Sequence, residues 1–388
     1  MSKLRNRIVF MVLAAVFIAS VVAVPTAFAI EVAGQDVKPV KNVIVLITDG
    51  TSADHVAISR WYQGAPLVVE DLVVAAQRTY SADSLISDSA PAASAFATGY
   101  KTNDKFISVS PEIVELPTPK ILTDAEKFVP LATVLEAAEL SGKSTGLIAI
   151  SNIQHATPAA FSSHVPHRND YNDIAEQQVF QGIEVVLGGG KQYLLPKDQG
   201  GTREDGANLV ETLKQMGYGF VETTADMKSF SGAKFWGMFA SDAMAYDFDR
   251  DPSKEPSLAE MTQKAIDILS KNPKGFFLFV EASKTDWASH ANDPIGVISE
   301  VLAWDRAVKT AVDFAKRDKN TLVLAFSDHG NGGMTLGLRG KPYSNLKMAQ
   351  SIDILKKAKL TGEGIDKKLN TDRSNIREVV AEYYGITD

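Results

Sequence analysis

The sequence has 388 residues, 45% of them hydrophobic and 22% charged, which is enough for a large buried core in one or two domains. It contains no cysteine, which excludes disulfides, cysteine-based catalysis, thiolate zinc sites and a lipid-modified N-terminal cysteine. The formal net charge of -7 argues against nonspecific nucleic-acid binding, because the phosphate backbone attracts basic rather than acidic surfaces.

The first 29 residues have the pattern of a cleavable secretory signal peptide. Three basic residues (Lys3, Arg5 and Arg7) precede an apolar stretch over residues 8–24, and an A-x-A motif follows at residues 27–29. The alternative is an uncleaved membrane anchor, for which the apolar stretch is slightly short. We therefore predict cleavage after Ala29, no stable membrane span afterwards, and a secreted or periplasmic protein with a net charge of -10.

From residue 41 onward, short apolar runs alternate with amphipathic stretches, the pattern of a largely parallel sheet with helices on both faces. The predicted strands cover residues 43–47, 146–150, 183–187, 276–280 and 321–326. The predicted helices begin at residues 88, 131, 205, 257 and 293, and two polar helices cover residues 346–360 and 374–384. Residues 185–255 are interpreted as an elaboration of this α/β fold, and residues 338–388 as a helical C-terminal segment.

Acidic residues and histidines follow several predicted strands. Asp49, Glu281 and the Asp328-His329 pair each come at the carboxyl end of one strand. Ligand sites in open α/β sheets lie at that edge, and carboxylates gathered there repel one another unless cations neutralise them. Asp286 and His290 are four residues apart and share a face if the turn there is helical. Nitrogen and oxygen ligands suit catalytic zinc, and oxygen-rich neighbours suit magnesium.

Asp88 and Ser89 lie where a helix is predicted to begin. A hydroxyl group there faces unpaired backbone N–H groups and the positive end of the helix dipole, a favourable place for a phosphate and for a serine that attacks one. The alternative is that Asp88 or Ser89 is only an N-cap, which is the commoner role of such residues. Taken alone, this stretch favours the cap.

Together these motifs closely resemble the alkaline phosphatase family, in order and in local spacing, over about residues 41–337. The matching positions are Asp49 before Gly50, Asp88-Ser89-Ala90, residues 98–102, His155-Ala156-Thr157-Pro158, Arg168, Glu281, Asp286, His290 and Asp328-His329 with the Gly-Asn-Gly-Gly-Met that follows. The resemblance implies a three-layer sandwich over residues 30–388, with a central, largely parallel sheet flanked by helices. It also implies a secreted, metal-dependent enzyme that hydrolyses small-molecule phosphate monoesters, and a possible homodimer.

The resemblance further implies a role for each matching position. Ser89 would be the nucleophile that forms a phosphoserine, and it would bind the second zinc together with Asp49, Asp328 and His329. The first zinc, at which water is activated to cleave the phosphoserine, would be held by Asp286 and His290. A third site for magnesium would use Asp49, Thr157, Glu281 and the residue at position 155. Arg168 would hold two phosphate oxygens with its planar guanidinium group, beside Asp88.

Two substitutions depart from the family pattern. His155 stands where many members have aspartate, and Trp287 where some have lysine or histidine. Imidazole is neutral and softer than a carboxylate, so we expect weaker magnesium binding at the third site, with zinc as a competitor. Trp287 could simply pack there, but we favour a position lining the site, where it removes a charge near the phosphate.

The larger departure concerns the first zinc. The family supplies its third ligand from a histidine further downstream, whereas none of the six histidines of this sequence follows His329. Either the C-terminal segment is truncated, which is the simpler explanation, or another ligand completes the site. We expect weak zinc binding there and slow phosphoserine hydrolysis. The alternatives are a phosphodiesterase or sulfatase-like hydrolase of the same superfamily, and an inactive truncated remnant that binds phosphate or metal.

Overall fold

The computed structural model describes residues 39–337, 340, 342, 344 and 346–387, and the backbone of residues 31–32 and 35–36. The predicted signal peptide at residues 1–29 lies outside the described residues. The chain divides into two compact units, residues 1–41 and residues 42–388. In the first unit, strand β1 (Glu31–Val32) pairs antiparallel with strand β2 (Gln35–Asp36). No helix in the described ranges is long and apolar enough to cross a membrane.

The second unit is built on a sheet of seven parallel strands. These are β3 (Asn42–Thr48), β4 (Ser144–Asn152), β5 (Val185–Gly189), β6 (Gly219–Val221), β7 (Phe235–Met238), β8 (Phe276–Ala282) and β9 (Thr321–Ser327). Their order is β6-β7-β5-β4-β8-β3-β9. All five predicted strands are confirmed, and β6 and β7, within residues 185–255, extend the same sheet at one edge.

Helices cover both faces of this sheet. They are α1 (Ala53–Gln63), α2 (Ser89–Thr98), α3 (Val134–Leu140), α4 (Ala156–Ser162), α5 (Tyr171–Gln181), α6 (Leu209–Gln215), α7 (Thr224–Ser229), α8 (Leu258–Leu269), α9 (Lys284–His290), α10 (Pro294–Asp318), α11 (Met348–Ser351), α12 (Gly362–Asp366) and α13 (Ile376–Tyr384). Helices α8 and α10 pack into the core on one face, and α2 to α6 pack into the core on the other. The three-layer α/β architecture is thus confirmed, and buried strands with both faces covered explain the continuous apolar runs in the sequence.

Two helix starts follow directly from their sequence signals. Ser257 caps α8, and its side chain accepts a hydrogen bond from the backbone N–H of Glu260. Glu260 reaches back to the backbone N–H of Ser257 over 2.9 Å, which completes the predicted capping box. Asp293 caps α10 ahead of Pro294, whose missing N–H costs nothing in the first turn. The helix predicted over residues 205–216 is shorter, because it begins only at Leu209.

The single helix predicted over residues 346–360 is wrong. The chain forms only the short α11 and then a 3₁₀ turn at Leu355–Lys357. The break lets Ile352 turn inward, where it is buried in a small apolar cluster with Ile58 and Ile298. Tertiary burial here overrides the local helical pattern. The second predicted helix, over residues 374–384, is confirmed as α13.

A buried carboxyl in α10 gives a testable pH dependence. Glu300 is 1% exposed; one of its oxygens accepts a hydrogen bond from the backbone N–H of Asp247 over 2.7 Å, and the other has no partner. Burial raises the pKa of Glu300 from 4.5 to about 7. Between these two values the unfolded chain has lost the proton and the folded chain keeps it. The free energy of unfolding therefore falls as pH rises through this window and levels off above about pH 7.

Glu300→Gln removes this titration while keeping an oxygen that accepts the bond from Asp247. We expect the decrease in unfolding free energy between about pH 4.5 and pH 7 to be smaller in the variant, by up to about 3 kcal/mol. Denaturant unfolding of metal-loaded protein at a series of pH values measures the effect. Glu112→Gln, at an exposed glutamate, is the matched control. Parallel pH curves for Glu300→Gln and the parent protein would contradict the prediction.

Candidate active site

The carboxyl ends of β3 and β9 meet the beginning of α2 at one point. Ser89 is the first residue of α2, and its Oγ lies 3.3 Å from both carboxylate oxygens of Asp49. The same Oγ lies 3.2 Å from Nε2 of His329. Ser89 is 3% exposed and Asp49 is fully buried. The sheet topology thus brings a hydroxyl, a carboxylate and an imidazole from three distant parts of the sequence into one cluster.

Asp88 occupies the N-cap position of α2, but its side chain makes no capping hydrogen bond. Instead its carboxylate accepts a hydrogen bond from Nη1 of Arg168 over 2.5 Å. Burial raises the pKa of Asp88, but the charge and hydrogen bond of Arg168 lower it further, below its ordinary value. Asp88 therefore starts the helix with its backbone and holds Arg168 beside Ser89 with its side chain.

Asp328 and His329, after β9, each present one atom to this cluster. Oδ1 of Asp328 accepts hydrogen bonds from the backbone N–H groups of Gly50 and His329 over 3.0 and 2.9 Å, whereas its Oδ2 makes no hydrogen bond and lies 3.7 Å from Nε2 of His329. Nδ1 of His329 lies 3.2 Å from the carbonyl oxygen of Gly330. Because a carbonyl only accepts, we assign the hydrogen of the neutral ring to Nδ1, which leaves Nε2 facing Ser89. Burial lowers the pKa of His329, but the charges of Asp328 and Asp286 raise it further, above its ordinary value.

A second cluster lies beside the first and shares Asp49. Ligand atoms of Asp49, His155 and Glu281 all lie within 4.8 Å of one another. Ser283 donates to Oε2 of Glu281 over 2.6 Å, while Oε1 of Glu281, Nδ1 of His155 and Oγ1 of Thr157 are buried without hydrogen-bond partners. Buried polar atoms are otherwise almost always paired. The two orphaned oxygens of Glu281 and Thr157, beside the carboxylate of Asp49, fit a bound cation.

The pKa shifts in the two clusters also favour bound cations. Burial, with the charges of Asp328 and Asp286, raises the pKa of Asp49 well above its ordinary value. Burial also raises the pKa of Glu281 to about 7. Burial and the charge of Arg168 lower the pKa of His155 to about 3, so this imidazole is neutral. While its Nε2 accepts from Arg168 its hydrogen is on Nδ1, and it can bind a cation only by giving up that bond. Cations would offset the charge repulsion that these carboxylates otherwise feel.

The turn after β8 is helical, as the spacing of Asp286 and His290 requires. Nε2 of His290 lies 3.5 Å from Oδ2 of Asp286, and the other carboxylate oxygen accepts a hydrogen bond from Asn331 over 2.7 Å. The side chain of His290 is 71% exposed. Asp286 also forms a cluster with Asp49 and His329, but His290 belongs to no cluster of three metal-binding side chains among the described residues.

His155 contacts both Arg168 and Trp287. Nη2 of Arg168 donates to Nε2 of His155 over 2.9 Å. The ring of Trp287 meets the ring of His155 edge-on, with 5.6 Å between centroids. Trp287 therefore packs against His155, a member of the second cluster.

A family model described as alkaline phosphatase matches residues 40–383. The chain belongs to the alkaline phosphatase family. It is 37% identical over 368 residues to alkaline phosphatase 4 of Bacillus subtilis, covering 91% of this chain and 73% of that one. The structure is similar to that of Thermus thermophilus alkaline phosphatase, with a TM-score of 0.80, 31% identity, and coverage of 90% of this chain and 72% of that one. The chain is therefore a phosphomonoesterase by family, and this family is metal-dependent.

One similar structure contains a bound magnesium ion. It is a mutant of the alkaline phosphatase from the Antarctic bacterium TAB5, in which a histidine is changed to aspartate and Mg is bound in the M3 site. Its TM-score is 0.66 at 29% identity, and the match covers 79% of this chain and 83% of that one.

Sequence reasoning assigned no role to three residues that support this candidate site. Gly50 adopts a φ of +62°, and a Cβ there would lie only 2.4 Å from Oδ1 of Asp286, so position 50 requires glycine twice over. Asn331 and Ser283 each hold one carboxylate oxygen of a candidate ligand. The Asp-Gly pair and the glycine-rich loop around Asn331 were visible signals, but the partners of these residues depend on the tertiary structure.

Proposed function

We propose that this chain hydrolyses phosphate monoesters through a phosphoserine formed on Ser89. The observation that carries the proposal is the position of Ser89 Oγ, at the beginning of a helix, 3.3 Å from Asp49 and 3.2 Å from His329. A serine hydroxyl is mostly protonated at neutral pH and needs help to become a nucleophile. A buried serine between a carboxylate and an imidazole is placed to receive that help.

Arg168 is proposed as the residue that binds the phosphate. Asp88 and His155 each take one hydrogen bond from its guanidinium group, which fixes the plane of that group. The remaining N–H donors can hold two phosphate oxygens side by side, because the guanidinium fork matches that geometry. The first N–H groups of α2, which have no partner inside the helix, favour the same negative charge.

We propose two zinc sites and one magnesium-type site. The second zinc would be held by Asp49, Ser89, Asp328 and His329, the third cation by Asp49, His155, Thr157 and Glu281, and the first zinc by Asp286 and His290. When bound, such cations lower the pKa of an attacking hydroxyl or water and neutralise charge on the leaving oxygen. The orientation of Asp328 and Glu281 supports this role, since one oxygen of each accepts hydrogen bonds and the other accepts none.

The test compares three nitrophenyl esters with the purified protein: the phosphate monoester, the phosphate diester and the sulfate. We expect the monoester to react fastest by a wide margin, and acid quenching during turnover to trap covalent phosphate on Ser89. Faster reaction with the diester or the sulfate would favour the related hydrolase classes instead. Absence of both turnover and trapped phosphate in metal-loaded protein would indicate an inactive remnant.

His155→Asp tests the proposed third site. The substitution restores a carboxylate near Asp49 and Glu281, and a histidine-to-aspartate mutant of a similar enzyme has Mg bound in its M3 site. We expect Mg²⁺ to bind roughly 10- to 100-fold more tightly, because a hard anionic oxygen suits this ion better than imidazole. Calorimetric titration of metal-stripped protein measures the change. His164→Asp, at a histidine that pairs with Glu136 away from the site, is the control; an equal gain there would contradict the assignment.

Localisation and assembly are part of the same proposal. The sequence pattern over residues 1–29 supports export, so we propose a secreted or periplasmic enzyme whose mature chain begins after Ala29. Mass spectrometry of the protein recovered from the cell exterior or the periplasm tests the cleavage position. A homodimer, which the family resemblance implies, is tested by light scattering of the same sample.

A further inference from the structure

Lys284 is a buried cation that the proposed reaction does not use. It is the first residue of α9, the helix that also carries Asp286 and His290, and it is 2% exposed. Its Nζ donates to the carbonyl oxygen of Met244 over 3.0 Å and to Oε2 of Glu363 over 3.1 Å. Glu363 lies in α12, so this ion pair connects the C-terminal segment to the helix that carries the candidate first-zinc residues.

Two aromatic rings complete the surroundings of this ammonium group. Nζ of Lys284 lies 4.0 Å from the ring centroid of Tyr246 and 5.4 Å from that of Trp287. Both distances are within the range in which a cation is attracted to the face of an aromatic ring, and the attraction is stronger away from water. Lys284 thus lies against Trp287, and the same ring packs edge-on against His155.

The contacts therefore run without a gap from the C-terminal segment to the third site. Glu363 pairs with Lys284, Lys284 lies against Trp287, and Trp287 packs on His155. Loss of Glu363 would remove the carboxylate that accepts a hydrogen bond from this buried ammonium group and leave it with the charges of Glu255 and Glu300, which would draw the lysine away from its present position.

We propose that Glu363 and Lys284 are positioning residues for the third cation site. The pair fixes the ring of Trp287, and Trp287 in turn keeps the ring of His155 beside Asp49 and Glu281. This inference rests on the proposed function and deepens it, because it makes cation binding at the third site depend on how α12 is docked. Neither residue touches the substrate or the reacting atoms.

The experiment measures Mg²⁺ binding to metal-stripped full-length protein by calorimetry. The component that Glu281→Gln abolishes defines the third site. We expect Lys284→Met, which keeps the length of the side chain, to weaken this component roughly 10- to 100-fold, the usual effect of losing a residue that orients a ligand. Glu363→Gln is expected to weaken it in the same direction by a smaller factor. Lys367→Met is the matched control, because Lys367 pairs with the same carboxylate over 2.6 Å but is exposed and lies away from Trp287.

A double-mutant cycle separates positioning from a general loss of packing. In a Trp287→Leu background, the route through the ring is already broken, so Lys284→Met should weaken Mg²⁺ binding much less than it does in the parent protein. Equal effects in the two backgrounds, or unchanged binding in Lys284→Met and Glu363→Gln, would overturn the proposal. Circular dichroism checks folding, and Glu363→Gln replaces Lys284→Met in the cycle if the latter does not fold.

The outcome is distinguishable from failure of the proposed function. If phosphate is trapped on Ser89 but Lys284→Met and Glu363→Gln leave the Mg²⁺ affinity unchanged, only the positioning inference fails. If the parent protein forms no phosphoserine, the proposed function fails whatever the titrations give. Absence of any Mg²⁺ binding that depends on Glu281 would overturn the positioning inference.

Discussion

Ser89→Ala is expected to abolish covalent phosphate trapping and to lower kcat for a nitrophenyl phosphate monoester by roughly 10³-fold or more. The substitution removes the one oxygen that lies within 3.3 Å of Asp49 and 3.2 Å of His329, and it leaves the backbone start of α2 intact. Alanine is a good helix former, so we expect the fold to survive. Residual hydrolysis would reflect a water molecule that uses the remaining phosphate-binding groups.

Ser87→Ala is the matched control for that experiment. Ser87 is also buried and lies two residues earlier, but its hydroxyl donates only to the backbone carbonyl oxygen of Asp88, over 3.2 Å. We expect it to retain covalent trapping and most of the turnover. If Ser89→Ala kept full activity, or if Ser87→Ala lost trapping equally, the nucleophile would have to be assigned elsewhere. Quenched-flow measurement of the covalent phosphate separates the two serines independently of steady-state rates.

The fold was largely predictable because its strands are buried on both faces. Continuous apolar runs such as residues 276–280 have no polar face to satisfy, and the alternation with amphipathic helices specifies a parallel sheet. The short strands β6 and β7 were missed, since three or four residues such as Phe235–Met238 give too little pattern. The break after α11 was missed because only the tertiary structure shows that Ile352 has a pocket to enter.

Those residues of the candidate site that come directly after a strand could be predicted from the sequence. Asp49 and Asp328 follow neighbouring parallel strands, so their proximity follows from topology once the sheet is assumed. The orientation of each carboxylate was not predictable. It depends on two hydrogen bonds, from the backbone N–H of Gly50 to Asp328 and from the side chain of Ser283 to Glu281. The sequence does not specify the turn geometry that allows either bond. The same holds for Lys284, whose partner Glu363 is 79 residues away.

Asp49→Asn is expected to change activity and stability in opposite directions. Asp49 belongs to both clusters of metal-binding side chains, so the substitution removes one anionic oxygen ligand from each proposed site that shares it. We expect the loss of affinity to be about 10- to 100-fold at each site and activity to fall by roughly 10²-fold or more. Asparagine has nearly the same shape, so the packing around the fully buried position is kept.

In the metal-stripped protein, by contrast, we expect Asp49→Asn to increase stability. Burial and the neighbouring carboxylates raise the pKa of Asp49, which means that the folded state resists its ionisation more than the unfolded state does. Without metal, Asp49 therefore costs stability as pH rises above the ordinary aspartate range, and asparagine removes that cost. We expect the stripped variant to have a higher Tm than the stripped parent at pH 8, with a smaller difference at pH 5. With zinc and magnesium added, the parent should become the more stable of the two, because bound ligand stabilises the state that binds it.

Thermal unfolding with and without a chelator, at both pH values, measures this reversal. Asp71→Asn, at an exposed aspartate, is the control and should shift neither curve. A stripped Asp49→Asn protein that is less stable than the parent at pH 8 would mean that Asp49 holds the metal-free fold together through hydrogen bonds. A variant that keeps full metal affinity would remove Asp49 from both sites. The predicted reversal follows from one property of the fold: it gathers carboxylates at the buried end of a parallel sheet, where only a cation makes their charge stabilising.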